Sequence, residues 1–233
     1  MQLLIWDFDG TLGYREGGAW TASLYEVVER YAGGVSPAGA VTYEALQPYT
    51  RAGFPWQTPE ESHAHLNTPD RWWTALAATF VHAYRGVGYD PETAQDLARR
   101  VRATYLDPTR WRRFDDAAPA LDALSAAGWT HVLLTNHVPE LPDILRAVGL
   151  AGYFAAIFNS ADLGYEKPHP RTFETVLAET GDGAEAAWMI GDSYHADVLG
   201  AEAAGIPAIL VRRPHPGAKR FAEDLEDVVA MLA

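Results

Sequence analysis

Residues 6–13 read WDFDGTLG, directly behind the apolar run Leu3-Leu4-Ile5. The run has the character of a buried strand, and it ends in two acids separated by one phenylalanine. Carboxylates at the mouth of a core are costly unless a cation or a reaction partner sits beside them. If the extended backbone persists to Asp9, residues two apart point to one side, and Asp7 and Asp9 face the same cleft. Gly10 then lets the backbone leave sharply. The competing reading is an Asx-turn or a helix cap after the strand.

The second half of the chain places this stretch in a larger pattern. HVLLTN (131–136), FAAIFNS (154–160), AAWMIGD (186–192) and PAILVRR (207–213) are short apolar runs. PELPDILRAVG, PRTFETVLAET and HADVLGAEAAG lie between them with helical spacing. Strands spaced by helices imply an α/β fold with a parallel sheet covered on both faces, to which residues 2–6 belong. Residues 14–112 break the alternation. They are mostly helical by pattern, with Pro- and Gly-rich joints, and they read as a helical insertion after the first strand. AAPALDALSAAG (117–128) returns the chain to the sheet. The expected division is a core of residues 1–13 and 113–233 and an inserted domain of residues 14–112.

Composition limits the chemistry. The 233 residues carry a formal charge of −13, which argues against nucleic acid as a partner. Any phosphate site must therefore bring its own local positive charge. There is no cysteine, so disulfides and thiolate metal sites are excluded. The N-terminus shows no basic region, long apolar run or cleavage signal, and no stretch approaches the roughly 18 apolar residues of a membrane span. A soluble cytoplasmic protein is expected, with no membrane partner and a monomer as the default.

In a parallel α/β sheet, functional residues gather at the carboxyl ends of the strands. Asp7 and Asp9 lie at that end of the first strand. Thr135 and Asn136 end the LLTN run and offer a hydroxyl and an amide to an anion. Lys167, in GYEKPHP (164–170), precedes a proline-led helix and could present a compact positive charge to phosphate. A solvated surface lysine is the plain alternative. Asp192 closes MIGD and Asp197 follows five residues later, a set of hard oxygen ligands suited to Mg²⁺. A helix N-cap at Asp192 or Ser193 explains the same residues without a metal.

DFDGT, LLTN, EKPHP and GDSYHAD, in this order, resemble the four motifs of the haloacid dehalogenase-like hydrolase superfamily. The helical insertion after the first motif is similar to the small cap of its phosphoglycolate-phosphatase and β-phosphoglucomutase-like branch. The resemblance implies a Rossmann-like three-layer α/β/α core with a helical cap. It makes Asp7 the nucleophile that forms an aspartyl-phosphate and Asp9 the acid and then the base. Mg²⁺ would be held by Asp7, the backbone carbonyl of Asp9 and Asp192, with Asp197 a direct or indirect partner. Thr135 and Lys167 would bind the phosphoryl oxygens. One Mg²⁺ and one lysine would supply the positive charge that so many carboxylates around a phosphate require.

Members that release a halide lack the second aspartate, because that leaving group needs no proton; Asp9 therefore favours phosphoryl transfer. Members that form a Schiff base use a cap lysine, and residues 14–112 contain no lysine. The expected activity is a Mg²⁺-dependent phosphatase acting on a small phosphorylated metabolite. A phosphomutase on the same fold and a non-catalytic phosphate-binding protein are the alternatives. Candidates for recognising the leaving group are Tyr14, Arg15, Arg51, Trp56, His63, His65, Trp72 and Trp73. Adjacent tryptophans on a helix cannot face the same way, so at least one of Trp72 and Trp73 should pack inside. RWRR (110–113) reads as a solvated linker.

Overall fold

Gln2–Trp6 forms β1, and its Leu3, Leu4, Ile5 and Trp6 are completely buried. The computed structural model describes residues 2–181, 183 and 186–232. After β1 come β2 (Gly13–Arg15), α1 (Trp20–Ala32) and a small hairpin of β3 (Val35–Ser36) and β4 (Gly39–Ala40). Helices α2 (Tyr43–Leu46), α3 (Pro69–Gly86) and α4 (Pro91–Tyr105) follow, and the chain returns through β5 (Trp111–Arg113). Alternation then sets in with α5 (Ala117–Ala126), β6 (Trp129–Thr135), α6 (Leu141–Ala147) and β7 (Ala156–Asn159). It continues through α7 (Ser160–Leu163), α8 (Pro170–Thr180), β8 (Ala187–Gly191) and α9 (Gly200–Ala203). The last elements are β9 (Ala208–Val211), β10 (Phe221–Ala222) and α10 (Leu225–Leu232).

Six of these strands form one parallel sheet in the order β10-β9-β8-β1-β6-β7. β1 sits between β8 and β6, which explains its unbroken apolar run: both faces and both edges are covered. Its side chains divide by the strand period of two. Leu3 and Ile5 join Val132, Met189 and Leu210 under Phe173 and Val176 of α8. Leu4 and Trp6 join Leu133, Ile190 and Ile209 under Leu121, Leu124 and Val228 of α5 and α10. The Rossmann-like three-layer α/β/α arrangement follows directly. Because the chain runs outward from β1 to β6 and β7 before crossing to β8, the order reverses beside β1, and the crevice at the carboxyl ends of β1, β6 and β8 is the place for a ligand.

The helical segment begins and ends on β2 and β5, which pair antiparallel with Tyr14 opposite Arg112. Two of its helices start as their sequences suggest. Thr68 caps α3 by accepting from the Arg71 N–H, Asp90 caps α4 by accepting from Glu92 and Thr93, and a proline holds the first turn of each. Leu24, Val28, Phe80, Tyr84, Leu97 and Val101 fill the space between α1, α3 and α4. This packing runs without a break through Tyr105, Trp111 and Phe8 to the Trp6 face of the sheet. RWRR is therefore more than a solvated linker. Strand alternation turns Trp111 into the core at 2% exposure, while Arg110 pairs with Glu26 and Arg112 with Glu16. Trp72 and Trp73 are both buried. Among the described residues, no helix is long and apolar enough to cross a membrane.

Candidate active site

The strand geometry of β1 carries on past Trp6: the Asp7 N–H donates to the Ile190 carbonyl of β8 at 2.9 Å. A tight turn follows, in which the N–H groups of Thr11, Leu12 and Gly13 all point to the Phe8 carbonyl. Phe8 drops into the core against Trp111 and His137, whereas Asp7 and Asp9 both line a cavity of about 450 Å³. Gly10 has φ +88°, and a Cβ there would collide with the Asp192 carboxylate. The glycine thus admits both the turn and the approach of a third acid.

Thr135 ends β6, and its hydroxyl donates to Asp7 Oδ1 at 2.9 Å. Lys167 is 2% exposed and donates through Nζ to Asp7 Oδ1 at 2.9 Å and to Asp197 Oδ1 at 2.6 Å. It is not a solvated lysine. Burial opposes its charge, but Asp197 and Asp7 outweigh that cost and raise its pKa. Asn136, expected to offer its amide to an anion, lines the cavity, and its amide is also paired with the chain beside it. Its Oδ1 accepts from the Lys167 N–H at 2.7 Å and its Nδ2 donates to the Lys167 carbonyl at 3.0 Å. The amide reads the backbone of Lys167 like a facing strand, and so fixes where the ammonium reaches.

Asp192 follows β8 and is almost fully buried. Burial, then the charge of Asp7, pushes its carboxyl up to about 6, against the pull of Arg213, whose Nε lies 3.1 Å from Oδ2. Burial and then Asp7 likewise push the half-buried Asp9 up to about 7. Asp197 has both oxygens engaged, Oδ1 by Lys167 and Oδ2 by the Ser193 N–H at 2.9 Å. Carboxylate oxygens of Asp7, Asp192 and Asp197 lie within 4.8 Å of one another, the set among the described residues able to hold a metal. Three buried carboxylates against one buried lysine and the solvent-exposed Arg213 leave net negative charge, and an all-oxygen donor set of this kind suits a hard divalent cation.

Of the residues considered for recognition, Trp56 lines the cavity. Arg51 and His65 are exposed, Tyr14 packs on Phe114, and Arg15 is buried against Glu26 at 2.7 Å. His63 lies 3.3 Å from Glu166, and Trp73 donates to Glu140 at 3.1 Å. The sequence reading missed Thr11, whose hydroxyl donates to Asp7 Oδ2 at 3.2 Å. It also missed Trp20, Tyr105 and His137 on the cavity wall. His137, next to the LLTN strand end, is the one that position alone could have flagged.

Comparison with known proteins agrees with this architecture. Residues 1–205 match the haloacid dehalogenase-like hydrolase family. A phosphoserine phosphatase of Thermus thermophilus is 32% identical over 229 residues, covering 91% of this chain and 89% of that protein. A phosphoglycolate phosphatase of Caulobacter vibrioides is 35% identical over 136 residues, 55% of either chain. Among solved structures, the magnesium-bound Bacillus subtilis protein YfnB superposes with a TM-score of 0.73 at 21% identity, covering 99% of this chain and 98% of that one. A 2-haloacid dehalogenase of Pseudomonas syringae gives 0.67 at 24% identity with full coverage of both, so the fold is shared by different chemistries. By its sequence match and its architecture, the chain belongs to the haloacid dehalogenase-like hydrolase family.

Proposed function

We propose that the chain is a Mg²⁺-dependent phosphatase that hydrolyses a small phosphorylated metabolite through a covalent intermediate on Asp7. The observation that carries this reading is the pairing of Asp7 with Asp9 in one cavity, the second acid held where burial raises it to about 7. A carboxyl of that pKa can give a proton to a poor leaving group and take one back at neutral pH. The phosphatase names of the Thermus and Caulobacter relatives support the same chemistry.

In this proposal the Asp7 carboxylate attacks phosphorus as the ester P–O bond breaks, and Asp9 protonates the departing alcohol. The Asp9 carboxylate then accepts a proton from the water that attacks the aspartyl-phosphate, releasing inorganic phosphate and restoring Asp7. Thr135 and Lys167, already bonded to Asp7 Oδ1, orient the nucleophile and face the phosphoryl oxygens. Asp7, Asp192 and the Asp9 carbonyl would hold Mg²⁺, with Asp197 acting through Lys167 and Ser193. The bound ion would supply the charge that lets a phosphate dianion enter a ring of acids. Residues 14–112 serve as the cap that completes the cavity, on a core of residues 1–13 and 113–233.

Release of inorganic phosphate from simple monoesters, suppressed by a chelator and by Asp7→Asn, is the direct test. A folded protein with no Mg²⁺-dependent turnover across a broad panel of phosphate esters would overturn the reading.

A further inference from the structure

Part of the cavity wall is built from rings. Trp20 stacks on Tyr105 with centroids 4.4 Å apart and on Trp56 at 5.7 Å, and all three line the cavity. His137 completes the wall. It is 4% exposed, and neither Nδ1 nor Nε2 has a hydrogen-bond partner. A buried imidazole with two open nitrogens costs free energy unless a ligand meets it. Burial pushes its pKa down to about 4, so the ring is neutral and offers one donor and one acceptor.

Charge sharpens the selection. Lys167 is the single lysine or arginine lining the cavity among the described residues, and Asp7 and Asp197 already hold it. Arg213 is bound to Asp192, and His195 is exposed. Asp7, Asp9, Asp192 and Asp197 all line the same space. A carboxylate on the leaving group would meet like charge in a confined site and find no free cation. Phosphoserine and phosphoglycolate, named for two relatives, each carry such a carboxylate.

We infer that the cavity selects phosphomonoesters whose alcohol half is an uncharged, ring-bearing group, packed against the part-exposed Trp20 and Trp56, with Tyr105 backing Trp20, and carrying one polar function met by His137. This rests on the monoesterase reading and adds the substrate class to it. A volume of about 450 Å³ admits a phosphate and one ring system together. Offset stacking on rigid aromatic side chains would supply the affinity, and the imidazole would supply the orientation.

The test compares kcat and KM, at saturating Mg²⁺, for benzyl phosphate, pyridin-3-ylmethyl phosphate, ethyl phosphate, 2-phosphoglycolate and O-phosphoserine. These are all esters of alkyl alcohols, so intrinsic reactivity differs little. Benzyl phosphate should exceed ethyl phosphate by about tenfold in kcat/KM and both carboxylated esters by about a hundredfold. Pyridin-3-ylmethyl phosphate should exceed benzyl phosphate, and His137→Phe should erase that advantage. Trp56→Ala should collapse the benzyl-to-ethyl ratio through KM. Carboxylated esters turned over as well as benzyl phosphate would overturn the inference and leave the monoesterase reading intact. Calorimetric binding of the same esters to the Asp7→Asn protein separates the two claims. If no ester is hydrolysed but the binding order holds, the monoesterase reading fails and the selectivity stands. If the binding order is flat, the selectivity is wrong.

Discussion

Lys167 Nζ lies 2.6 Å from Asp197 Oδ1 and 2.9 Å from Asp7 Oδ1, with all three side chains nearly or completely out of solvent. One cation therefore serves two carboxylates, and Asn136 fixes its backbone from both sides. Lys167→Met would leave the acids uncompensated. Removing one member of a buried ion pair costs about 3–5 kcal/mol. Loss of a charge-stabilising donor costs about 10²–10³-fold in kcat. The double variant Lys167→Met/Asp197→Asn should recover much of the melting temperature and none of the turnover. If turnover returned with stability, Lys167 would be only a structural residue.

Metal binding should be visible without any substrate. The raised pKa of Asp192, about 6 against an ordinary 3.8, means that the folded state binds the proton more tightly than the unfolded state. The sign follows from linkage: metal-free stability falls as pH climbs from about 4 to about 6, and the penalty then persists at neutral pH. Mg²⁺ should offset it, raising the melting temperature at pH 7 in proportion to the logarithm of its concentration once the site is saturated. Asp192→Asn should melt higher than the parent chain without metal and respond little to Mg²⁺. An unchanged response in that variant would remove Asp192 from the metal site.

Asp9 has a signature that depends on the leaving group. Asp9→Asn should lower kcat/KM for benzyl phosphate by about 10²–10⁴-fold, the usual contribution of a positioned acid. For p-nitrophenyl phosphate, whose leaving group needs no proton, the loss should be much smaller. In the parent chain, benzyl phosphate turnover should decline as pH rises through about 7, as the Asp9 carboxyl ionises. Equal losses for both esters would mean that Asp9 acts otherwise than as the acid.

The strand tips were legible because each lies next to an apolar run whose burial is dictated by the sheet. Leu3 to Trp6 read as a strand of the parallel sheet, and Asp7 and Asp9 follow it at the carboxyl end, where the structure places the crevice. Thr135 and Asp192 were found by the same logic. Lys167 was found only through its motif, since nothing local distinguishes a buried lysine from a solvated one before its partners 160 and 30 residues away are known. The cavity wall was hidden for a different reason. Trp20 and Tyr105 sit on amphipathic helices whose pattern reads as core, and they do pack against other rings while one side faces the cavity. The pairing of β2 with β5 escaped notice because three residues, two of them arginines in β5, carry no strand signal of their own.

Glu140 ties the helical segment to the sheet. It lies just past β6, accepts from Trp73 Nε1 of α3 at 3.1 Å and pairs with Arg102 of α4 at 2.7 Å. Glu140→Ala would strip a largely buried indole N–H and a guanidinium of their shared acceptor, at a cost of about 1–3 kcal/mol. For a chain of this size the expected fall in melting temperature is about 2–4 °C per kcal/mol. Glu140→Gln should cost less, since its amide oxygen can still accept from Trp73. A melting temperature within experimental error of the parent for Glu140→Ala would show that the link carries no stability.

His63 makes a second tie, to the loop that carries Lys167. Its backbone N–H donates to the Gly164 carbonyl at 2.9 Å, and its Nε2 lies 3.3 Å from Glu166 Oε1, near enough for charge attraction though not aligned for a hydrogen bond. Burial opposes a charge on the imidazole, but Glu166 and the carbonyls of Ser160 and Glu61 outweigh it, and the pKa of His63 rises above its ordinary 6.5. A histidine whose folded pKa is raised stabilises the fold fully below the unfolded value and loses that contribution as pH rises through the folded one. The melting temperature of the parent chain should therefore drop more than that of His63→Gln as pH rises above the ordinary 6.5 of the imidazole. Glu166→Gln should flatten the same decline, because it removes the partner rather than the titrating group. Parallel pH profiles for the parent and both variants would show that the imidazole stays neutral against Glu166.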